Sequence, residues 1–197
     1  MRLYCTGLCR AEFGHGLVID FKIGVDALHV IVVLERGDQL HQRLRPFLVD
    51  PPAQDPLPSP HLRTTKPWAI DLDLRVSLES LSMRRNGIAP VVVSATNFAG
   101  LYWTIAQQLA HHTVSGCNAR VGDLMGSGTI SGETRDACGS LLEITRNGAE
   151  PLRLPDGTER TFLEDDDEVI LTGWAQGKDY RVGFGDVRGR VVGARGS

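Results

Sequence analysis

No stretch of this 197-residue chain approaches the roughly 18 consecutive apolar positions needed for a membrane-crossing helix. The first residues, Met1 to Cys5, lack the continuous apolar segment and small-residue cleavage site of a secretory leader, so a cytoplasmic protein is expected. No CxxC pair occurs among Cys5, Cys9, Cys117 and Cys138, which argues against a zinc site and for four free thiols. Lysine is scarce, with Lys22, Lys66 and Lys178 the only three among 21 basic residues. The net charge of −3 provides no electrostatic case for nucleic acid or for an anionic membrane surface. An internal repeat and a low-complexity tail are also missing.

What is present is globular: 42% hydrophobic and 23% charged residues, with enough length to bury about 70% of the unfolded surface. Residues 17–24 and 30–34 read as strands, but the polar stretch 35–45 has no period. Prolines crowd residues 51–60. Each fixes φ and removes a backbone donor, so this piece is expected to run as a strap over a β-domain. Residues 70–78 alternate strictly, with Ile70, Leu72, Leu74, Val76 and Leu78 on one face, which is a half-buried strand. A turn at Asn86-Gly87 leads to a second strand at residues 90–94.

The clearest helical period covers about residues 97–112, with Thr96 or Asn97 as its cap and Gly116 beyond its end. Short strands follow at residues 141–145, 153–154, 161–163, 168–174 and 180–185, separated by turn residues such as Asn147-Gly148. Together these predict a mainly β (α+β) fold, a mixed sandwich or roll with one prominent helix. The acidic run Glu164 to Glu168 reads as a solvated turn.

From residue 97 onward the blocks become specific. Tyr102-Trp103-Thr104-Ile105-Ala106-Gln107-Gln108-Leu109-Ala110-His111-His112 is followed by Gly116-Cys117-Asn118 and by Gly126-Ser127-Gly128-Thr129-Ile130-Ser131-Gly132. Gly139-Ser140-Leu141-Leu142-Glu143 and Tyr180-Arg181-Val182-Gly183-Phe184-Gly185 come next, while Arg45-Pro46-Phe47 and Gln54-Asp55-Pro56-Leu57-Pro58 lie upstream. In order and spacing this set resembles the C-terminal part of the fumarylacetoacetate hydrolase family, over residues 44–197. The resemblance falls off abruptly before residue 44, which marks residues 1–43 as a degraded or out-of-frame segment.

The resemblance implies hydrolysis of a carbon–carbon bond in a β-diketone, a step of tyrosine and phenylalanine catabolism. It also implies Mg²⁺ and Ca²⁺ as cofactors and a homodimer as the assembly. Glu143 matches the glutamate that orients a water-activating histidine, and a carboxylate within an apolar segment needs such a partner. Thr129 matches a substrate-contacting threonine in a glycine-rich turn, where Gly126, Gly128 and Gly132 would tolerate positive φ. His111 and His112 belong to the helix and point about 100° apart, so they are read as structural. His15, His29, His41 and His61 match no motif.

The family's catalytic histidine and metal-binding carboxylates lie upstream of the helix, and no counterpart is found here. Residues 18–24 resemble the strand with two metal-binding glutamates, but they offer Lys22 and Gly24, which cannot replace two carboxylates on a divalent ion. No residue is therefore assigned to a metal. The sequence-level expectation is a truncated hydrolase of weak activity, with a non-catalytic structural or dimerising module as the alternative.

Overall fold

Residue alternation produces sheets where it is strongest. The computed structural model describes residues 2–5, 9–12, 18–23, 28–33 and 44–193 of the chain, the first four segments through their backbone. The strands are β1 (Arg2–Cys5), β2 (Cys9–Glu12), β3 (Val18–Ile23), β4 (Leu28–Val33), β5 (Leu48–Val49), β6 (Ala69–Ile70), β7 (Asp73–Glu79) and β8 (Val91–Asn97). They continue with β9 (Leu124–Thr129), β10 (Leu152–Arg153), β11 (Glu159–Arg160), β12 (Glu168–Gln176) and β13 (Arg181–Val192). Three α-helical pieces are described: α1 (Leu81–Arg85), α2 (Ile105–Val114) and α3 (Leu141–Ile144). The architecture is mainly β, of α+β type, as expected.

One antiparallel sheet has the order β1-β13-β12-β7-β8 and a second has β2-β3-β4-β9. β13 also packs against β2 and β3, which brings the two sheets together. The burial alternation of residues 70–78 is realised, but the single strand expected there is split: Ile70 ends β6, which pairs with β5, and β7 begins at Asp73 in the five-stranded sheet. Ile70, Leu72, Leu74 and Leu78 are buried, and they join Phe47, Met83, Phe98, Leu171 and Val187 in one core cluster. Burying a side chain of this size is worth about 1.5–3 kcal/mol, so this face anchors the larger sheet.

The proline-rich stretch has no regular structure over residues 51–59 and lies against α2, as a strap would. Gln54 and Gln107 exchange side-chain amide hydrogen bonds, each 2.9 Å long, and Gln54 Nε2 also donates to the Tyr102 carbonyl. The Tyr102 hydroxyl donates to the Pro56 carbonyl.

Local expectations fail at four further places. The helix expected from residue 97 begins instead at Ile105, where the Thr104 hydroxyl and Gln107 form a reciprocal capping box. Asn97 caps a separate 3-10 turn over Phe98–Gly100, so residues 97–104 lie outside the helix. Residues 161–163 form no strand, and the local hairpin is β10 with β11. Residues 141–145 are not extended: Leu141–Ile144 form a helical turn with Thr145 as its C-cap.

The acidic run is the fourth correction. Asp167 is fully buried, and the Arg160 guanidinium holds it through two bonds of 2.8 and 3.0 Å. Glu168 is bridged by Arg188 and Arg190, at 3.3 and 2.9 Å. Consecutive acids look alike in sequence; which of them is buried depends on cations contributed by β11 and β13.

Candidate functional site

The segment that carries the family blocks builds a ledge from two converging pieces. In the first, Thr129, Ile130 and Ser131 alternate: Ile130 is buried in the core, and its neighbours face outward. The ladder between β4 and β9 shifts register across Ser127 and Gly128, so two residues of β9 face one of β4 immediately before Thr129. Gly128 has φ of +78°, a conformation that disfavours a β-carbon. Among the three glycines expected to use positive φ, Gly128 alone does so. Gly132 is needed for a different reason, since a β-carbon there would stand 2.7 Å from Ala137 Cβ.

The second piece is α3. Leu141 and Ile144, three residues apart, are buried, while Leu142 and Glu143 face outward. Ser140 caps the turn by accepting from the Glu143 amide at 3.3 Å. Thr145 Oγ1 donates to the Leu141 carbonyl at 2.8 Å. Behind the turn, Arg135 Nε donates to the Ile144 carbonyl at 2.7 Å and Nη2 to the Glu150 carbonyl at 3.0 Å, fixing the helix end. The Ser140-x-x-Glu143 spacing is a helix-start pattern that sequence reasoning passed over in favour of apolar content.

The two pieces meet at Ser131. Its hydroxyl lies 3.0 and 2.8 Å from the two carboxylate oxygens of Glu143 and donates between them. The same oxygen accepts the Gly139 amide at 3.0 Å. Ser140 Oγ donates to Glu143 Oε2 at 2.8 Å. Gly139 presses so closely on the first piece that a β-carbon there would lie 2.2 Å from the Ile130 carbonyl and 2.9 Å from Thr129 Cγ2. Thr129 thus packs against the residue that binds Ser131, and Ser131 binds Glu143.

Glu143 is exposed, yet its carboxylate is engaged by two hydroxyls and is not loose in solvent. It is carried on a helical turn, which corrects the expectation of a strand. Ser131 is the residue of the ledge that sequence reasoning did not single out; its alternation with Thr129 was the available signal. Cys138 adjoins the ledge, and its thiol is pushed above the ordinary value by burial, then by the charges of Glu143 and Asp136.

His111 lies against Trp103 with ring centroids 4.7 Å apart and the planes tilted by 44°, and His112 Nε2 lies 3.0 Å from Cys117 Sγ. Neither contact involves the ledge. His15, His29 and His41 lie outside the residues whose side chains are described, as do Cys5 and Cys9. No described helix is long and apolar enough to cross a membrane.

Comparison with known proteins covers the same stretch. A family model described as "Fumarylacetoacetate (FAA) hydrolase C-terminal" matches residues 48–192. Fumarylacetoacetase from Arabidopsis thaliana is 50% identical over 149 residues, which are 76% of this chain and 34% of that protein. The Caenorhabditis elegans enzyme is 48% identical over 153 residues, 77% of this chain and 35% of the relative. The Mus musculus enzyme is 46% identical over 149 residues, 76% and 35%. The chain spans about a third of the length of these curated relatives. It belongs to the fumarylacetoacetate hydrolase family and corresponds to a C-terminal portion of it.

Proposed function

We propose that residues 44–197 are part of a fumarylacetoacetase-type hydrolase, which cleaves a β-diketone with water into fumarate and acetoacetate. Glu143 is the positioning carboxylate and Thr129 a substrate contact. The observation that carries this reading is the Ser131 bridge, because it holds a carboxylate beside the threonine ledge, with no ion pair to it among the described residues. In such a hydrolysis a base removes a proton from water as the oxygen adds to the ketone carbon. The carbon–carbon bond then breaks, and its electron pair takes a proton at carbon.

An imidazole performs the first transfer in the family, and the role of Glu143 is to accept the N–H of that ring and favour its charged form. The matched blocks of this chain supply no such imidazole, so the chain holds the orienting half of the pair. The glycine-rich bulge at Gly128 stands immediately before Thr129, whose side chain is the proposed contact for a diketone oxygen.

The family's Mg²⁺ and Ca²⁺ do not fit the side chains at hand. Among the described residues no group of three or more His, Cys, Asp or Glu converges on one point. A hard divalent cation needs several oxygen ligands. No step is therefore assigned to a metal on this chain.

Two measurements test the proposal. Acetoacetate titrated into labelled chain is expected to shift the amides of Thr129, Ser131 and Gly139; an unchanged ledge overturns the site. Purified chain with fumarylacetoacetate and Mg²⁺ or Ca²⁺ is expected to turn over far more slowly than a complete family member. Equal turnover would mean that the base and the metal ligands lie within this chain.

A second reading, a non-catalytic dimerising module, draws on the apolar exposure around the end of α2. Val114, Val121 and Leu124 are 60%, 69% and 63% exposed. Sedimentation of the chain alone separates the two: a monomer at high concentration removes the module reading.

A further inference from the structure

The loop of residues 60–68 stands against the side of α2 and leaves a half-open groove of about 150 Å³, made of residues other than those of the Thr129–Glu143 ledge. Three basic side chains line it, His61, Arg63 and Lys66, and no carboxylate does. Among the described residues none of the three makes an ion pair. Arg63 Nε donates to the Pro58 carbonyl at 2.9 Å, a contact that orients the guanidinium without neutralising it.

The opposite wall adds to the same potential. It comes from the first turns of α2, through Ala106, Gln107 and Ala110. The first intrahelical bond is donated by Gln108 to the Thr104 carbonyl, so the amides of Ile105 and Ala106 precede it and lie at the positive end of the helix. The wall is rigid: the Gln107 side chain donates to Gln54 Oε1 and to the Leu62 carbonyl, and accepts from the Thr104 amide. Leu62, Pro67 and Trp68 complete an apolar floor.

We propose that this groove binds a small, flat organic carboxylate, with its anionic end between Arg63 and Lys66 and its body on the apolar floor. Three features select that class. Arg63 and Lys66 stand on one wall with no carboxylate lining the groove, and basic groups gathered along one wall favour an anion there. A guanidinium matches a planar carboxylate through two parallel bonds. The apolar floor rewards a ligand with a hydrophobic body, which a hydrated inorganic anion lacks, and a space near 150 Å³ accommodates a molecule about the size of benzene. The site does not depend on the catalytic reading of Glu143.

Benzoate is the probe, followed on the labelled chain through the amides of Lys66 and Ala106 and the Trp68 indole. Benzoate is expected to shift these three signals saturably, and Lys66→Ala and Arg63→Ala are each expected to weaken binding about tenfold, the loss of one charge-assisted contact. Benzamide, the neutral analogue, is expected to bind at least as weakly as benzoate does to those variants. Thr129→Val is expected to leave benzoate binding unchanged, which separates this site from the ledge. Because Arg63 also touches Pro58, Lys66→Ala is the deciding variant if Arg63→Ala perturbs the loop. Benzoate binding indifferent to Lys66→Ala overturns the proposal, and so does inorganic phosphate binding as tightly as benzoate.

Discussion

Ser131 Oγ lies within 3.0 Å of both carboxylate oxygens of Glu143 while accepting the Gly139 amide at 3.0 Å. One hydroxyl therefore joins the strand that carries Thr129 to the turn that carries Glu143. A net hydrogen bond to a charged group is worth about 1.5–3 kcal/mol, and an amide left without its acceptor adds to the loss.

Ser131→Ala is expected to destabilise the chain by about 1–3 kcal/mol in urea unfolding, with the slope unchanged. Ser140→Ala removes both a cap and a carboxylate contact, and is expected to cost about 1 kcal/mol. A loss under a few tenths for Ser131→Ala would mean that the bridge has no energetic role.

Cys138 reports on the ledge through its ionisation. Burial raises its pKa first, Glu143 and Asp136 raise it further, and Arg135 opposes them. Glu143→Gln removes one raising charge, so the thiolate is expected to form at lower pH. Iodoacetamide labelling of Cys138, read by peptide mass across a pH series, is expected to move its midpoint downward in that variant. A midpoint that stays in place would show Glu143 to be electrostatically remote.

Asp156 links a hairpin to a helix cap. It accepts from Ser80 Oγ at 2.6 Å and from Thr158 Oγ1 at 2.7 Å, while Ser80 Oγ accepts the Met83 amide at 3.0 Å. The Ser80 and Thr158 hydroxyls, in that order, hold the Asp156 carboxyl well below the usual carboxylate range. A folded-state value below the unfolded one means that this stability is fully present above the unfolded pKa of about 3.9 and is lost as the pH falls toward the folded value. Asp156→Asn is expected to flatten the acid limb of a stability profile taken from about pH 4 downward. An identical slope would assign acid sensitivity to other carboxylates.

The Arg160–Asp167 pair is buried on both sides, at 9% and 0% side-chain exposure. Removing one partner leaves an uncompensated charge in the interior, so Arg160→Met is expected to cost about 3–5 kcal/mol. The double change Arg160→Met with Asp167→Leu is expected to recover part of that loss, because two apolar groups leave no charge to satisfy. Denaturant midpoints of the single and double variants measure the difference. Additive losses would contradict the coupling.

The sequence by itself determined what depends on near neighbours and on motif order. The alternation from Ile70 to Leu78 placed a strand because side chains in extended chain point to opposite faces in turn. The blocks around Thr129 and Glu143 placed the chain in its family. Only the tertiary structure decided which polar groups meet. Residues 141–145 are apolar enough for a strand, but Ser140 and the buried pair Leu141 and Ile144 close a helical turn there. Asp167 is buried and Asp166 exposed because Arg160 reaches one of them. Ser131 meets Glu143 across twelve residues of chain, and His61, Arg63 and Lys66 share a groove only because α2 forms its other wall. Such contacts depend on packing between distant segments, and no local periodicity records them.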